Sequence, residues 1–508
     1  MTFWQLDSIK AVTAGRWLAR GSQNKDAPPV AGLSTDSRGV QAGQAFLALR
    51  GERFDGHAFL AQASTAGAAL LIIDREEAFR AVAPGIRPGT SVLLVEDTGR
   101  ALLRLANAYR RTLTTTKVIA VGGSNGKTTT VRMIDAVLST RLKGRASQKS
   151  FNNAVGVPLT ILSAQPGDQY LICEVGTNAP GEIAPLAAVI EPDICVITSL
   201  GREHLEGLGS LEGVAREEAM LVSALREGGC AVVAQDDVLV AAVKSQLRSL
   251  AGPPRVLVTF GTGETAEVRV AEASQSFEGV RFTLNDRTGY ALPLLGRHNA
   301  LNAAAAVAVG RRLGLAADDA RAGLASVKGP PMRLDRSTVA GVRIVNDAYN
   351  ANPESMVAAI DTFKEVTAAD PALTASRRVL VLGDMLELGE QSAALHREAL
   401  THALHARCAD VLVLIGPAMA RAATDLKVQH EVGVHCLPDL SPPRDTHAAA
   451  LLRLGDVVLL KGSRGTAVER VVASLVGQAP LAEAKPSPTS TATTTSAGIV
   501  PHVSMHGT

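Results

Sequence analysis

One stretch, residues 117–130 with the sequence KVIAVGGSNGKTTT, constrains the fold of this chain more than any other. Four consecutive apolar residues, Val118–Val121, predict a buried strand, and apolar residues at helical spacing resume after Lys127. A strand, a glycine-containing loop, a Lys-Thr pair and a helix, in this order, are typical of a phosphate-binding loop. The alternative, a plain glycine turn, does not account for the Lys-Thr pair at the start of the helix.

The loop residues that we predict to bind a nucleotide are Gly123, Ser124, Asn125, Gly126, Lys127, Thr128 and Thr129. Glycines allow backbone N–H groups to close around an anionic phosphate, and the helix N-terminus adds partial positive charge. Lys127 is expected to reach the outer phosphates, and the Thr128 hydroxyl is expected to bind Mg²⁺. Val121 occupies the position where the common form of this loop has its first glycine.

Length and composition are those of a globular protein with several domains. The 508 residues are 46% hydrophobic and 20% charged, and the net charge of +2 gives no reason to expect a nucleic-acid partner. The N-terminal residues lack the features of a signal peptide, and no apolar run is long enough to predict a membrane span. The cysteines are scattered, odd in number and without a CxxC pair, so we expect reduced thiols in a cytoplasmic protein.

Apolar strands that alternate with helical patterns predict an α/β protein with three domains. We expect an N-terminal domain over residues 1–97, a central domain with a mostly parallel sheet over 98–328, and a third, doubly wound domain over 329–480. The segment 256–293 differs, because its alternating residues and turn signals predict antiparallel strands. Residues 481–508 contain too few apolar residues to fold and predict a disordered tail.

Two candidate metal ligands follow predicted strands of the central domain. Glu174 ends one strand, and His204 comes a few residues after the next. Ligands of open α/β sheets bind at the carboxyl ends of the strands, and a carboxylate there can hold Mg²⁺. Taken alone, each is better explained as an ordinary strand-end or core residue. Together with Lys127, they indicate a second metal site.

Polar residues also mark two further helix starts. Asn299 and Asn302 are three residues apart and share a face, where their amides can read a purine edge or Asn299 can cap the helix. Lys461 and Arg464 surround the start of another helix, which favours an anion, although both can equally be solvated.

Arg333 and Asp347 belong to the start of the third domain. Asp347 follows a predicted strand, and Arg333 comes just after a Gly-Pro-Pro hinge. An arginine on a moving domain can stabilise charge on a transferring phosphate. A surface ion pair is the simpler explanation of Arg333 when it is considered alone.

Taken in order, these motifs resemble the Mur ligases, which are ATP-dependent amide-forming enzymes of peptidoglycan synthesis. The matching segments are GSNGKTT, the strand end at Glu174, the loop at His204, LGRHNALN, MRLDR, NDAYNANPESM and KGSR. The resemblance extends from Thr35 to about Leu475. It implies a uridine-nucleotide-binding N-terminal α/β domain, a central P-loop ATPase domain and a C-terminal Rossmann-like domain.

The resemblance also implies a reaction. FNNAVGVPLTIL at residues 151–162, DAYNANPESM and LGDMLELG are similar to the member that adds D-alanyl-D-alanine to UDP-N-acetylmuramoyl-tripeptide through an acyl phosphate. The alternatives are a member that adds a diamino acid to UDP-N-acetylmuramoyl-dipeptide and a non-catalytic nucleotide-binding subunit. The implied cofactors are ATP and Mg²⁺, the partners are small-molecule substrates, and the implied state is a monomer.

By the same resemblance, individual residues take roles. The implied catalytic residues are Lys127, Glu174, His204 and Arg333. The implied nucleotide contacts outside the loop are Asn299, Asn302, Arg333 and Asp347. The implied metal ligands are Thr128, Glu174, His204 and Glu218. The implied substrate contacts are Ser37, Arg38, Asn152, Asn153, Tyr349, Asn350, Lys461 and Arg464.

Glu218 departs from the family pattern. Family members commonly carry a carbamylated lysine in the helix after the His204 loop, where it helps to hold a second Mg²⁺, and Glu218 stands at that position. A glutamate keeps the negative charge of the carbamate but has a shorter reach. We therefore expect Glu218 to replace the carbamate and the activity to be independent of bicarbonate.

Overall fold

The computed structural model describes residues 3–21, 28–51, 54–148, 150–430 and 433–476. The predicted tail lies outside this part of the chain. Three β-sheets, each packed against helices, make up the described residues. No helix among them is both long enough and apolar enough to cross a membrane. Each of the five cysteines is a free thiol, in accordance with their scattered positions.

The first sheet is formed near the N-terminus. Its helices and strands are α1 (Leu6–Thr13), β1 (Arg16–Ala19), β2 (Leu33–Ser34), β3 (Ala45–Leu47), α2 (Leu60–Thr65), β4 (Leu70–Ile73), α3 (Glu76–Val82) and β5 (Ser91–Leu94). The strand order is β1-β5-β4-β3-β2, and β1 alone runs antiparallel to its neighbour. β3 and β4 are buried at every position, because inner strands of such a sheet are covered on both faces.

The second sheet has nine strands and carries the phosphate-binding loop. Its helices and strands are α4 (Thr98–Thr112), β6 (Lys117–Gly122), α5 (Lys127–Leu138), β7 (Gly144–Ala146), α6 (Gly156–Leu162), β8 (Tyr170–Glu174), α7 (Ile183–Ile190), β9 (Ile194–Ile197), α8 (Leu205–Leu208), α9 (Leu211–Ala219), β10 (Cys230–Ala234), α10 (Asp237–Ser249), β11 (Val256–Gly261), β12 (Val268–Ser276), β13 (Gly279–Leu284), β14 (Gly289–Leu292), α11 (His298–Arg312) and α12 (Ala317–Ser326). The strand order is β14-β13-β12-β11-β10-β9-β6-β8-β7. β6 lies between β8 and β9, so the chain leaves β6 at a switch point where α/β sheets bind ligands.

The prediction of antiparallel strands over 256–293 is wrong for its first strand. β11 pairs parallel with β10 and extends the parallel sheet, while only β12, β13 and β14 pair antiparallel with one another. β11 is exposed at its first residue, half-buried at the next three and buried only at its last two, so it lacks the fully buried apolar run of an inner parallel strand. The pattern reports burial, and β11 is less buried than the strands it follows.

The third sheet has the doubly wound form that was predicted. Its helices and strands are β15 (Asp335–Val339), β16 (Val342–Asp347), α13 (Pro353–Ala369), α14 (Pro371–Thr374), β17 (Arg378–Gly383), α15 (Ser392–Ala406), β18 (Val411–Ile415), α16 (Pro417–Asp425), β19 (Val434–Leu437), α17 (Arg444–Ala450), β20 (Val457–Lys461) and α18 (Arg470–Val476). The strand order is β15-β16-β20-β17-β18-β19, and only β15 is antiparallel.

The predicted domain limits separate the three sheets, but the first limit crosses a continuous apolar cluster. This cluster joins Ile9 and Leu93 of the first sheet's layer to Leu105 of α4 and Leu186 of α7. Helix α4 therefore contacts both units. The limits at residues 97 and 328 remain a prediction.

Arg110, on α4, anchors this helix to the central sheet. Its side chain is buried, with 1% of the residue exposed. The guanidinium donates to the carbonyl oxygens of Ile190, Leu113 and Glu191 at 2.8, 3.2 and 2.8 Å, and to Asp193 Oδ2 at 2.9 Å. A buried cation is tolerated when it is paired and hydrogen-bonded, and here each of the three guanidinium nitrogens donates at least one hydrogen bond.

We predict that Arg110→Met lowers the melting temperature on the order of 10 °C, because removing one partner of a buried pair costs about 3–5 kcal/mol. Differential scanning calorimetry measures the change. Arg111→Met is the matched control, since Arg111 lies on the same helix but pairs with Glu191 at the surface. Equal melting temperatures for the two variants would contradict the prediction.

Candidate active site

A cavity of about 1000 Å³ lies between the second and third sheets, at the carboxyl ends of β6, β8 and β9. Most of the predicted site residues line it: Ser124, Asn125, Gly126, Lys127, Thr129, Asn152, Asn153, Glu174, His204, Asn299, Asn302, Arg333, Asp347, Tyr349, Asn350, Lys461 and Arg464. The structure therefore brings together residues that are far apart in the sequence.

The loop between β6 and α5 has the backbone conformation that its glycines permit. Gly123 and Gly126 have φ angles of 112° and 87°, which disfavour any residue with a Cβ. A Cβ on Gly123 would lie 2.4 Å from Thr198 Oγ1, and one on Gly126 would lie 2.5 Å from Asn302 Oδ1. The loop is thus pressed against two neighbouring elements.

Lys127, the first residue of α5, points back into the loop. Its Nζ donates to the carbonyl oxygens of Gly123 and Ser124 at 2.6 and 3.0 Å. Nζ also lies 3.6 Å from Glu203 Oε1. These contacts hold the ammonium group at the floor of the cavity.

Three buried carboxyl groups, those of Glu174, Glu203 and Glu218, surround this ammonium. Burial alone would lower the pKa of Lys127, but the carboxylates of Glu203, Glu218 and Glu174 outweigh it, so the pKa is raised. Burial raises the pKa of Glu218 to about 7 and raises the pKa of Glu174 and Glu203, although Lys127 opposes each shift. The protein by itself places more negative than positive charge around Lys127.

The side chains of Asn152 and Asn153 are used within the protein. The Asn152 amide donates to Glu174 Oε1 at 3.0 Å, and Asn153 Oδ1 accepts from Val155 N and Gly156 N at the start of α6. Both residues also line the cavity, so their predicted contact with substrate remains open. Asn152 has the additional role of orienting Glu174.

Asn299 and Asn302 share a helix face, as predicted. The Asn302 amide donates to Asn299 Oδ1 at 2.9 Å, and the Asn299 amide donates to Leu295 O at 2.6 Å. The helix begins at His298, and Asn299 does not cap it. These amides support the loop at Gly126, and their predicted contact with a nucleotide remains a prediction.

Arg333 reaches the loop from the third domain. Its Nη2 lies 3.4 Å from Thr128 Oγ1, and its guanidinium carbon lies 4.3 Å from the centre of the Tyr349 ring. The Tyr349 hydroxyl donates in turn to Ser150 Oγ at 2.6 Å. Met332, next to Arg333, has a φ angle of 58°, an uncommon conformation for such a side chain. The surface ion pair that could have explained Arg333 is not what the structure shows.

Asp347 and Asn350 both contact the buried side chain of Lys461. Lys461 Nζ lies 2.8 Å from Asp347 Oδ2 and donates to Asn350 O at 2.6 Å. Asp347 Oδ1 also accepts from Leu334 N at 3.0 Å. Arg464 is more exposed and pairs with Glu469 at 2.6 Å. The predicted contacts of these side chains with nucleotide or substrate remain predictions.

His204 and Glu218 are the residues predicted for a second metal site, and in the described part of the chain no third metal-ligating side chain joins them. His204 Nδ1 lies 2.6 Å from Glu387 Oε2, and Glu218 Oε2 accepts from Gly123 N at 2.6 Å. Across the part of the chain that is described, no three His, Cys, Asp or Glu side chains are grouped to hold a metal ion. A second ion at His204 and Glu218 remains a prediction.

Ser37 and Arg38 lie in the first domain, outside this cavity. Ser37 Oγ donates to Gln62 Oε1 at 3.3 Å, and Arg38 pairs with Asp36 at the surface at 2.7 Å. The Arg38 side chain is 83% exposed and thus accessible to a ligand. Their predicted contact with a uridine nucleotide is not tested by the geometry.

Comparison with known proteins identifies the family. Residues 29–110 match the Mur ligase family catalytic domain, residues 121–310 the Mur ligase middle domain, and residues 332–464 the Mur ligase glutamate ligase domain. The UDP-N-acetylmuramoyl-tripeptide--D-alanyl-D-alanine ligase of Bacillus subtilis (strain 168) is 37% identical, over 88% of this chain and 93% of the relative. The chain belongs to the Mur ligase family.

Solved Mur ligase structures confirm the three-domain α/β architecture. MurF from Acinetobacter baumannii superposes with a TM-score of 0.79 at 29% identity, over 94% of this chain and 99% of that chain. MurF from Thermotoga maritima, determined in complex with ADP, gives a TM-score of 0.72 at 27% identity, over 88% of this chain and 97% of that chain.

Two contributors to the site of this Mur ligase were missed from the sequence. Glu203 pairs with Lys127, and Thr198 donates through Oγ1 to the carbonyl oxygens of Asn125 and Gly122 at 2.5 and 3.1 Å. Both follow β9, and His204 is the residue of this segment that the sequence predicted for the site. Their position at a strand end was a usable signal for Glu203, whereas Thr198 resembled a continuation of the strand.

We predict that Lys127→Met destabilises the metal-free Mur ligase, because it leaves three buried carboxyl groups without their cation. The folded-state pKa values of these carboxyls are raised above the ordinary value of 4.5. Their ionisation therefore opposes folding: the penalty is absent below about pH 4.5 and grows as the pH rises. Lys127→Met raises the pKa values further, so its melting temperature should fall below that of the wild type more at pH 8 than at pH 5.

Thermal unfolding in a chelating buffer measures this difference. Lys117→Met is the control, because the Lys117 side chain is 56% exposed and its nearest carboxylate oxygen, on Asp193, is 3.7 Å away. A deficit of Lys127→Met that does not change between the two pH values would show that the carboxyl groups are not held by Lys127.

Proposed function

We propose that this chain is an ATP-dependent ligase that joins D-alanyl-D-alanine to UDP-N-acetylmuramoyl-tripeptide. The products are UDP-N-acetylmuramoyl-pentapeptide, ADP and phosphate. Relatives that carry this activity in their names match 88% and 87% of the chain at 37% and 34% identity. The bound ADP of the Thermotoga maritima structure supports ATP as the nucleotide. The names of these relatives do not favour the reading as a diamino-acid ligase.

The observation that carries the proposal is the approach of Arg333 to Thr128 across the cavity, at 3.4 Å. Lys127 belongs to the central domain and Arg333 to the third, and both face the loop that would hold the phosphates. A ligase must bring two anions, a peptide carboxylate and ATP, into contact. Cations supplied from both sides of the cavity offset that repulsion.

The residues present fit a Mg²⁺ ion that binds together with the nucleotide. Among the described residues, Glu174 Oε2 is buried without a hydrogen-bond partner, and the Thr128 hydroxyl interacts with the same carboxylate. Mg²⁺ is usually held by one or two carboxylates and by substrate phosphates, so Glu174 and Thr128 would hold it. When bound, such an ion neutralises charge on the phosphates.

In the first step, a carboxylate oxygen of the tripeptide attacks the γ-phosphorus of ATP, and the bond from that phosphorus to ADP breaks. The N–H groups of the loop and the start of α5 orient the phosphates. Lys127 exchanges its loop carbonyl partners for phosphate oxygens, and Arg333 stabilises the charge that develops on the transferring group. The resulting acyl phosphate has the good leaving group that a free carboxylate lacks.

In the second step, the amino nitrogen of D-alanyl-D-alanine attacks the acyl carbon. A tetrahedral intermediate forms and collapses as the carbon–oxygen bond to phosphate breaks, and the surplus proton of its nitrogen passes to the departing phosphate. The closed cavity excludes water, which would otherwise hydrolyse the acyl phosphate. The roles of Lys127 and Arg333 as stabilisers of an oxyanion follow from their position at the same end of the cavity.

We further propose that the chain works as a cytoplasmic monomer with functional units at residues 1–97, 98–328 and 329–480. The free, mostly buried thiols are typical of a reducing compartment.

A phosphate-release assay tests the reaction. With ATP and UDP-N-acetylmuramoyl-tripeptide, we expect phosphate release only after D-alanyl-D-alanine is added, and not with lysine or diaminopimelate. Mass spectrometry of the nucleotide product identifies the new amide. Release that requires a diamino acid and the dipeptide substrate would overturn the proposal.

Tyr349 variants test the delivery of Arg333. Tyr349→Phe keeps the ring beside Arg333 and removes the bond to Ser150, whereas Tyr349→Leu removes both. A cation–π contact is worth about 0.5–1 kcal/mol, so the kcat of Tyr349→Leu should fall roughly two- to fivefold below that of Tyr349→Phe. Tyr290→Phe is the control, because the Tyr290 hydroxyl is buried without a partner among the described residues. Equal kcat values for the two Tyr349 variants would show that the contact between the Tyr349 ring and Arg333 does not contribute to catalysis.

A further inference from the structure

The segment after β9, residues 199–204, contacts the phosphate-binding loop on one side. Ser199 Oγ accepts from Asn125 N at 2.8 Å and donates to Asn125 O at 3.1 Å. Gly201 N donates to Ser124 Oγ at 2.9 Å. The segment is therefore hydrogen-bonded to the loop at both Ser199 and Gly201, so we expect the two to move together.

The same segment contacts the third domain on its other side. Arg202 Nε donates to Glu354 Oε1 at 2.6 Å, and Arg202 N donates to Glu354 Oε2 at 3.2 Å. Its two Nη atoms donate to the Glu398 carboxylate at 3.0 and 3.3 Å. Glu354 lies in the first turn of α13, and Glu398 lies on α15. One guanidinium thus joins the central domain to two helices of the third.

Gly201 shows how tightly the segment is held between the two. A Cβ at this position would lie 3.2 Å from Asn125 Nδ2 and 3.5 Å from Glu354 Oε2. A side chain at this position would therefore contact both the loop and the third domain. A change in the loop that moves residue 201 also moves the anchor of Arg202.

We propose that Arg202 is a positioning residue that holds the third domain closed over the phosphate-binding loop, through its ion pairs with Glu354 and Glu398. In the closed arrangement Arg333 reaches Thr128. Arg202 acts on the reaction through Arg333 and makes no contact of its own with the reacting atoms. Its place next to the loop residues couples occupation of the loop to closure.

The exposure of these side chains matches a contact that must open in every catalytic cycle. The side chains of Arg202, Glu354 and Glu398 are 34%, 36% and 52% exposed. Ion pairs of this exposure are individually weak and are screened by salt. A guanidinium adds geometric specificity, because its planar fork binds two carboxylates in fixed directions and an ammonium group does not.

One other ion pair crosses the same boundary, between Arg297 Nε and Glu365 Oε2 of α13 at 2.7 Å, so the effect of Arg202 is the difference between the wild type and the Arg202 variant. Two further contacts are neutral. The Asn352 amide donates to Asn125 Oδ1 at 3.0 Å, and the Tyr349 hydroxyl donates to Ser150. These bonds are insensitive to ionic strength, so the part of closure that depends on salt reports on the charged contacts. The His204 contact with Glu387 is also charged when the imidazole is protonated.

Small-angle scattering of the full chain without substrates tests closure directly. The wild type should have a smaller radius of gyration at about 50 mM salt than at about 500 mM salt. Arg202→Met should show the larger value at both salt concentrations. Arg311→Met is the matched control, because Arg311 pairs with Asp286 within the central domain at comparable exposure, and it should behave as the wild type.

Kinetics provide the second readout, and this part alone rests on the proposed function. The kcat of Arg202→Met should fall roughly three- to tenfold, since closure limits the delivery of Arg333. Arg202→Lys should recover only part of the loss. A double-mutant cycle of Arg202→Met with Glu398→Gln should be non-additive, with the double variant little worse than Arg202→Met alone, which two independent structural sites would not produce.

Two outcomes overturn the inference. One is a radius of gyration and salt response of Arg202→Met that equal those of the wild type. The other is a double-mutant cycle in which the losses caused by Arg202→Met and Glu398→Gln are additive. A changed radius without ligase activity on any acceptor would leave the inference standing and refute the proposed function instead.

Discussion

The burial of one ammonium group among three carboxyl groups is the constraint around which this site is built. Lys127 cannot be buried without partners, and Glu174, Glu203 and Glu218 supply them from three different segments of the central domain. Those segments are β8, the loop after β9, and α9. Their convergence requires β6 to lie between β8 and β9, which is the strand order observed. The strand order of the central sheet therefore determines which carboxyl groups surround Lys127.

The third domain supplies a second cation to the cavity. Lys127 is already paired within its own loop, so a second cation at the cavity must come from elsewhere. Arg333 comes from the third domain and lies 3.4 Å from Thr128 Oγ1, beside the ring of Tyr349, whose hydroxyl donates to Ser150. A site divided in this way is complete only after closure, which protects an acyl phosphate from water until the acceptor is in place.

The sequence predicted those parts of the site that have a local signature. The loop and α5 have one, because glycine, lysine and threonine occur at fixed spacing within a few residues. Glu174 has one, because it ends an apolar run. The strands of the three sheets were likewise predictable where they are buried on both faces, and β11 was misread where it is not. Short edge strands such as β2 carry too few residues to show a pattern.

Contacts between distant residues were not predictable from one sequence. Arg202 is 152 residues from Glu354 and 196 from Glu398, and nothing in its neighbourhood distinguishes it from a solvated arginine. Asn152 appeared to face the substrate, yet its amide holds Glu174 across 22 residues of chain. The type of a side chain limits what it can bind, but the fold decides which partner is within reach.

Two orphaned oxygens indicate that a ligand, and not the protein, completes the electrostatics of the cavity. Among the described residues, Glu174 Oε2 and Glu218 Oε1 are buried without hydrogen-bond partners, whereas their sister oxygens bind Asn152 and Gly123 N. A folded protein rarely leaves such atoms unpaired, because each loses its interactions with water on burial. The protein accepts that loss at two carboxyl groups on either side of Lys127. A cation that binds with the nucleotide beside Glu174 would offset this loss at that carboxyl group, which would favour binding of the charged substrates.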